Sequence, residues 1–345
     1  MMRVGIIGRG WGERSQAPNF REAGLEIVAV VGRDNWKRAL ADDVDLVSVV
    51  MPPSRHVEMA TAALEAGKHV ICEKPTALNA AEAQVLVAAA EAHPKQIAII
   101  DRELRFLPSF RAARERLFEI GPIRYAEVRY ASPSRGDRSR PWNWWSDASQ
   151  GGGVWGAVGS HFIDTLRYLG NEIEAVQAVL ATMIDERSGK KVTSDDFAAV
   201  HLRMRVGPPP AAFAAMTFSA VASGPDEPAA LTIHGENGAF RLTGEELLFS
   251  KPRGAFERIA GGDLAKRPGN SSGGAFGTGT YHLGLALRRA VDDGDREALA
   301  PAATFVDGLA QQRVLDAARR SHGAGGRWED VAPPSWRPVS RQPAG

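Results

Sequence analysis

Cysteine occurs once in the 345 residues, as Cys72, so neither a disulfide framework nor a thiolate metal cluster is available, which suits a reducing compartment such as the cytoplasm. Charge imbalance is missing too: 42 Lys and Arg stand against 41 Asp and Glu, interspersed along the chain. Such a balance carries no electrostatic footprint for nucleic acid or for an anionic membrane surface. No apolar run approaches the length of a membrane-crossing helix. The chain passes from Arg3 directly into Val4-Gly5-Ile6-Ile7 rather than through a long apolar leader, so no signal peptide is expected. The histidines at 56, 69, 93, 201, 234, 282 and 322 show no metal-ligand spacing, and no metal site is expected. What is present, 44% hydrophobic residues, suffices for two domains with cores of their own. Gly121-Pro122 marks the join, giving residues 1–121 and 122–336, with a Pro- and Gly-containing tail from Gly323.

The first domain reads as alternating strand and helix. A strand at 3–7 runs into Gly8-Arg9-Gly10-Trp11-Gly12-Glu13 and a helix at 15–23, a dinucleotide fingerprint in its proper context, although its third glycine falls at 12 where the pattern wants 13. A second strand, 26–31, ends in Gly32-Arg33-Asp34. Gly32 beside Arg33 leans towards the 2′-phosphate of NADP over NAD, while Asp34 could still reach a ribose. The chain then passes through a short helical piece at 36–41 into a strand at 44–50, so one outer strand-helix unit is missing from the edge of a doubly wound sheet. Met51-Pro52-Pro53 follows, then a helix at 55–66 capped by Gly67, and a strand at 70–72 leading into Glu73-Lys74-Pro75. A helix at 80–92 and a strand at 96–100 complete the unit. Gly8, Met51 and Lys74 thus lie at carboxyl ends of strands around the switch point, where such sheets bind ligands. Proline at 75 makes the Lys74-Pro75 bond a candidate for the cis form.

Beyond a helix at 108–119 the texture changes. Strand-like runs at 124–131, 174–184, 197–206, 211–222, 229–235, 239–242 and 247–250 predict a large, mostly antiparallel sheet, hence an α+β domain whose free face could dimerise. Residues 132–150 are rich in Arg and Trp, including Trp145, and Gly151-Gly152-Gly153 precedes a helix at 158–169 on which His161 and Asp164 share a face. Residues 261–280 read as a Gly-rich loop, a candidate lid, before helices at 281–292 and 302–321.

The chain resembles the Gfo/Idh/MocA family of NAD(P)-dependent oxidoreductases. The carriers are residues 4–12, Met51-Pro52-Pro53 with His56, Ala66-Gly67-Lys68-His69-Val70 running into Glu73-Lys74-Pro75, Arg105-Phe106-Leu107-Pro108, Gly151-Gly152-Gly153 with Gly159-Ser160-His161 and Asp164, Thr193-Ser194-Asp195-Asp196, and Ile233-His234-Gly235-Glu236-Asn237-Gly238. The resemblance implies a Rossmann domain with an α+β substrate domain, and hydride transfer between a nicotinamide cofactor and a sugar, sugar derivative or cyclic polyol. It implies that Lys74 contacts the nicotinamide ribose and the substrate and that His161 is the acid/base on the reacting hydroxyl. Gly8, Gly10, Trp11, Gly12, Gly32, Arg33, Met51, Pro52, Pro53, His56, Glu73 and Lys74 are the expected cofactor residues. Glu103, where many relatives have asparagine, is a candidate substrate residue together with Arg105, Trp145 and Asp164. Ala157 stands where the family often has an aspartate, four residues before the histidine. Two other readings stay open, a cofactor-binding sensor with lapsed catalysis and an NAD-dependent glycoside hydrolase of the same family. A homodimer or homotetramer through the second sheet is expected.

Overall fold

The structure, a computed structural model, describes residues 1–205, 211–225, 227–261 and 274–331. Strands β1 (Arg3–Ile7), β2 (Glu26–Val31), β3 (Leu46–Val49), β4 (His69–Cys72) and β5 (Ala98–Ile100) pair in parallel in the order β5-β4-β3-β1-β2. Apart from the half-exposed β2, their side chains are mostly buried on both faces, as a parallel sheet covered by helices requires. Val4, Ile6, Leu46 and Ile71 pack with Phe20 of α1 (Ala17–Glu22). Ile7, Val47, Val49, Val70 and Cys72 pack with Met59 and Leu64 of α2 (His56–Glu65) and Leu86 of α3 (Ala80–Ala92). Among the described residues β2 is the sheet's edge, and a 3-10 turn, Arg33–Leu40, carries the chain on towards β3. The missing unit therefore lies at the outside of the sheet, as the sequence implies.

After α4 (Pro108–Glu115) come β6 (Ile123–Ala131), α5 (Ser160–Tyr168), β7 (Glu172–Ala181), a small hairpin of β8 (Glu186–Arg187) and β9 (Lys190–Lys191), β10 (Phe197–Arg205), β11 (Ala212–Ser219), β12 (Glu227–Gly235), β13 (Ala239–Leu242), β14 (Glu246–Ser250) and β15 (Glu257–Gly261). With β17 (Glu329–Asp330) they form a nine-stranded sheet, β15-β14-β13-β12-β6-β11-β10-β7-β17, antiparallel except between β6 and β11. One face, with Val128, Val200, Leu202, Met216 and Phe218, is buried against Trp155, Ile163 and Leu166. The opposite face leaves Tyr125, Val179 and Phe213 exposed.

The chain then returns to the first sheet. Helix α6 (Gly274–Asp292) packs on α1, β16 (Ala303–Thr304) pairs antiparallel with β5, and α7 (Phe305–Gly323) lies against both α3 and β7. This corrects the expected loop at 261–280: residues 262–273 lie outside the described residues, and 274–280 are the opening turns of α6. Glycine discourages helix in isolation, but here it admits close packing. A Cβ on Gly279 would lie 2.5 Å from the carbonyl oxygen of Glu103. Of the expected tail, residues 332–345 lie outside the described residues.

Between the two sheets, Arg105, on the turn after β5, grips Asp164 of α5 through two bonds of 2.8 Å, Nε to Oδ2 and Nη2 to Oδ1. Both side chains are buried. Asp307 in the first turn of α7 lies 3.6 Å from Arg105. Deleting one member of such a pair strands a buried charge. Asp164→Asn should therefore destabilise the protein by about 3–5 kcal/mol, seen as a lower urea midpoint. A loss below about 0.5 kcal/mol, as for an ordinary surface substitution, would show that the pair does not fasten α5.

Candidate active site

The helix after β1 begins with a π-helical turn, Gly12–Gln16, and no side chain caps it. Gly8 has φ +136°, and a Cβ there would fall 2.0 Å from the carbonyl oxygen of Val50; one on Gly12 would fall 2.7 Å from Ile6 Cγ2. Those two glycines let the turn press against the sheet. At Gly10 a Cβ would meet nothing within 4 Å, so the space over the turn is open. An uncapped helix start beside open space fits a pyrophosphate. Trp11 flanks it, half-buried. Beyond β2, the Gly32 amide donates to Asn35 Oδ1 at 2.9 Å, and Arg33 and Asp34 are exposed with no partner among the described residues. That leaves Arg33 available to a 2′-phosphate.

Met51, Pro52, Pro53 and His56 follow β3. His56 is fully buried, its Nε2 2.7 Å from the Met51 carbonyl oxygen and its Nδ1 3.2 Å from that of Thr76, with burial pushing its pKa down. It ties the turn after β3 to the turn after β4. Pro53 is covered by the other domain, since a Cβ on Gly151 would fall 2.6 Å from Pro53 Cγ. In the same run Gly152 meets the Trp145 backbone and Gly153 meets Asp195. The close approach that these glycines permit is thus to protein. Asp195 accepts from the Trp155 amide at 2.7 Å and is pushed up to about 6 by burial. Asp196 accepts from the amides of Met183 and Ile184. Residues 193–196 so hold the segment that delivers α5.

Lys74 and His161 are brought together. Glu73 and Lys74 follow β4, and the Lys74-Pro75 bond is cis. Lys74 Nζ donates to the carbonyl oxygen of Ala157 at 3.0 Å, one turn before His161. Where the resemblance expects an aspartate, the main chain therefore receives the ammonium. The His161 ring is buried, lies 4.9 Å between ring centres from Phe276 of α6, and makes no hydrogen bond among the described residues. Burial first, then the charges of Lys74 and Arg102, hold its pKa well below 6.5, so the ring is neutral at pH 7.

The candidate substrate residues divide. Glu103 is buried near Lys74, and burial reinforced by the Glu73 charge pushes it up to about 8. Arg105 and Asp164 are satisfied by each other. Trp145 lies under the Arg135 guanidinium at 4.3 Å, beside a separate small cavity lined by Arg187, Ser194 and Asp195. Sequence reasoning passed over Gln16, Ser48, Asp101 and Arg102. Gln16 Nε2 donates to Asp101 Oδ2 at 2.6 Å and to Glu73 Oε1 at 3.3 Å, and Ser48 Oγ donates to Gln16 Oε1 at 2.6 Å. Arg102 donates to Gln311 and to Ser160 Oγ. The available signal was position: Asp101 directly follows a parallel strand at its carboxyl end. Among the described residues no group of three or more His, Cys, Asp or Glu is placed to hold a metal ion, and no helix is long and apolar enough to cross a membrane.

Residues 34–100 match the model of an oxidoreductase family with an NAD-binding Rossmann fold, and residues 110–241 that of the GFO/IDH/MocA C-terminal domain. The chain is 30% identical, over 95% of its length and 93% of the relative's, to glucose-fructose oxidoreductase domain-containing protein 2 of Xenopus tropicalis. The chain belongs to the Gfo/Idh/MocA family. Its fold matches that of an oxidoreductase domain protein from Kribbella flavida with a TM-score of 0.82 at 26% identity, covering 96% of this chain and 99% of the other. It also matches a levoglucosan dehydrogenase in complex with NADH and levoglucosan, with a TM-score of 0.83 at 23% identity over 96% and 100%, a likeness of fold. The nucleotide turn of this Gfo/Idh/MocA member allows a direct test. Gly10→Ala should hold the melting temperature within about 2 °C while weakening nicotinamide-nucleotide binding, whereas Gly8→Ala should lower it by about 4 °C or more. Unchanged binding in Gly10→Ala would show that the nucleotide lies elsewhere.

Proposed function

We propose that this protein is an NAD(P)-dependent dehydrogenase or reductase that moves a hydride between a nicotinamide cofactor and a CH–OH carbon of a sugar, sugar derivative or cyclic polyol. The observation that carries the reading is the bond from Lys74 Nζ to the Ala157 carbonyl, which sets an ammonium from one domain beside an imidazole from the other. The open turn at Gly10, the proline-lined wall at Pro52 and Pro53, and Lys74 would hold the cofactor, with Arg33 favouring NADP over NAD. The nicotinamide, when bound, supplies the hydride acceptor or donor. His161 accepts the hydroxyl proton on a ring nitrogen that no group among the described residues occupies. Lys74, fixed by its carbonyl partner, orients the hydroxyl oxygen and stabilises the charge that develops on it. The fold shared with a levoglucosan dehydrogenase supports a carbohydrate-like substrate. The buried, unpaired thiol of Cys72 supports a cytoplasmic setting. The exposed sheet face around Tyr125, Val179 and Phe213 is the surface on which a second copy would pack.

One observation favours a second reading, a cofactor-binding sensor: with alanine at 157 no carboxylate among the described residues orients His161. Kinetics decide between them. In the enzyme, Lys74→Ala and His161→Ala should each lower turnover about 10²–10⁴-fold on the best substrate of a sugar and polyol panel. Tight cofactor binding with no turnover across that panel would favour the sensor, and hydrolysis of a glycoside by the NAD-loaded protein would favour the glycosidase. The acid limb of the pH profile is a separate check. A protonated imidazole cannot accept a proton, and a lowered pKa moves that loss to lower pH. At saturating cofactor, kcat for oxidation should stay level as pH falls through 6.5 and decline only below it. A limb centred at or above 6.5 would assign the proton transfer to another group.

A further inference from the structure

The cleft holds more acid than base. Around Lys74 stand Glu73 at the end of β4 and Asp101 and Glu103 after β5, the last two only 1% and 4% exposed. Asp101 Oδ1 and Glu103 Oε2 are buried and have no hydrogen-bond partner among the described residues. Gln16 Nε2 donates to Asp101 Oδ2 at 2.6 Å and to Glu73 Oε1 at 3.3 Å, so one amide holds these two carboxyl groups side by side. Two buried carboxyl groups sharing one donor repel each other when both are ionised, which favours a proton on one of them.

Among the described residues the surrounding elements supply two cations, Lys74 and Arg102, the second with its Nε also 3.9 Å from Asp164 Oδ1. Arg105 is taken up by Asp164 of α5, with Asp307 of α7 close by. The other polar groups facing the cluster are neutral: Gln16 after β1, Ser48 on β3, His161 on α5 and Gln311 on α7. Helix α6 presents the small residue Gly279 to Glu103. Among the described residues three carboxyl groups thus face two fixed cations, one of them shared with Asp164, and at least one carboxyl group is in surplus.

We infer that this cluster distinguishes the redox states of the cofactor: it keeps one proton while the cleft lacks a third cation, and the positively charged ring of an oxidised nicotinamide drives that proton out, whereas the neutral reduced ring leaves it in place. The inference rests on the reading of the cleft as a nicotinamide site. In the step a carboxyl O–H bond breaks, the proton passes to water, and no electrons move. Burial raises all three groups, Glu103 to about 8, so the proton is present at pH 7. The sign follows from linkage. Below the cluster's titration each oxidised ring bound releases a proton, so affinity for the oxidised form rises with pH, and affinity for the reduced form does not.

The test is a pair of titrations, NAD⁺ against NADH and NADP⁺ against NADPH, followed by intrinsic tryptophan fluorescence from pH 6 to 8. The phosphates common to both forms cancel in the ratio of dissociation constants. For the protein as it stands, the reduced-to-oxidised ratio should climb about tenfold from pH 6 to 7 and less steeply towards pH 8. Calorimetry at pH 7 in two buffers of different ionisation enthalpy should show about one proton released by the oxidised form and none by the reduced. In Glu103→Gln and Asp101→Asn the slope should fall to less than half. A ratio independent of pH, with no buffer-dependent heat, overturns the inference while leaving the nicotinamide site intact. If neither form binds, the nicotinamide reading fails and this one with it. The unsubstituted protein decides the matter even if a variant does not fold.

Discussion

The forked bond between Arg105 and Asp164 is the constraint on which the cleft depends. Lys74 comes from a turn of the parallel sheet and His161 from a helix packed on the antiparallel one. The bond from Lys74 Nζ to the Ala157 carbonyl is a single contact at a half-exposed site. Alone it would offer little against the motion of two layers. Arg105 leaves the parallel sheet just after β5, and Asp164 follows His161 by less than one turn on the same helix. Two parallel, buried, charge-assisted bonds fix both distance and rotation. The imidazole is thereby aimed, although no side chain among the described residues holds its ring nitrogens.

The groups legible in the sequence were those whose chemistry is written locally. Lys74 sits in an unbroken strand-turn phrase, and the glycines at 8, 10 and 12 sit between a strand and a helix. His161 follows a glycine run on a recognisable amphipathic helix. Each of these needed only neighbours in the chain to be read. Even the thinned edge of the first sheet was visible, because a missing strand and helix leave a gap in length.

What stayed hidden was assembled from a distance. Gln16, Ser48, Glu73, Asp101 and Glu103 come from four different strand ends, and no spacing in the chain announces that they will share one pocket. Arg105 and Asp164 were visible as polar residues near a site, yet their satisfaction by each other appears only when two domains are superposed in space. The opening of α6 was misread for the opposite reason. Its glycines signal a loop locally, and only the backbone of Glu103 pressed against Gly279 explains why they belong in a helix. Trp145, similarly, is placed by Arg135 and the backbone beneath Gly152, neither of which its own neighbours reveal.

The pairing of β16 with β5 bears on how this chain is made. The nucleotide-binding half occupies the first third of the polypeptide, but its last strand is contributed after residue 300, and α7, which covers α3, comes later still. During synthesis on the ribosome, where domains usually complete themselves in order from the amino end, this half must wait with the flank of β5 uncovered until residues 303 and 304 have emerged. The two halves therefore mature together, and a chain interrupted between them would present an unfinished, adhesive sheet to the cell's chaperones.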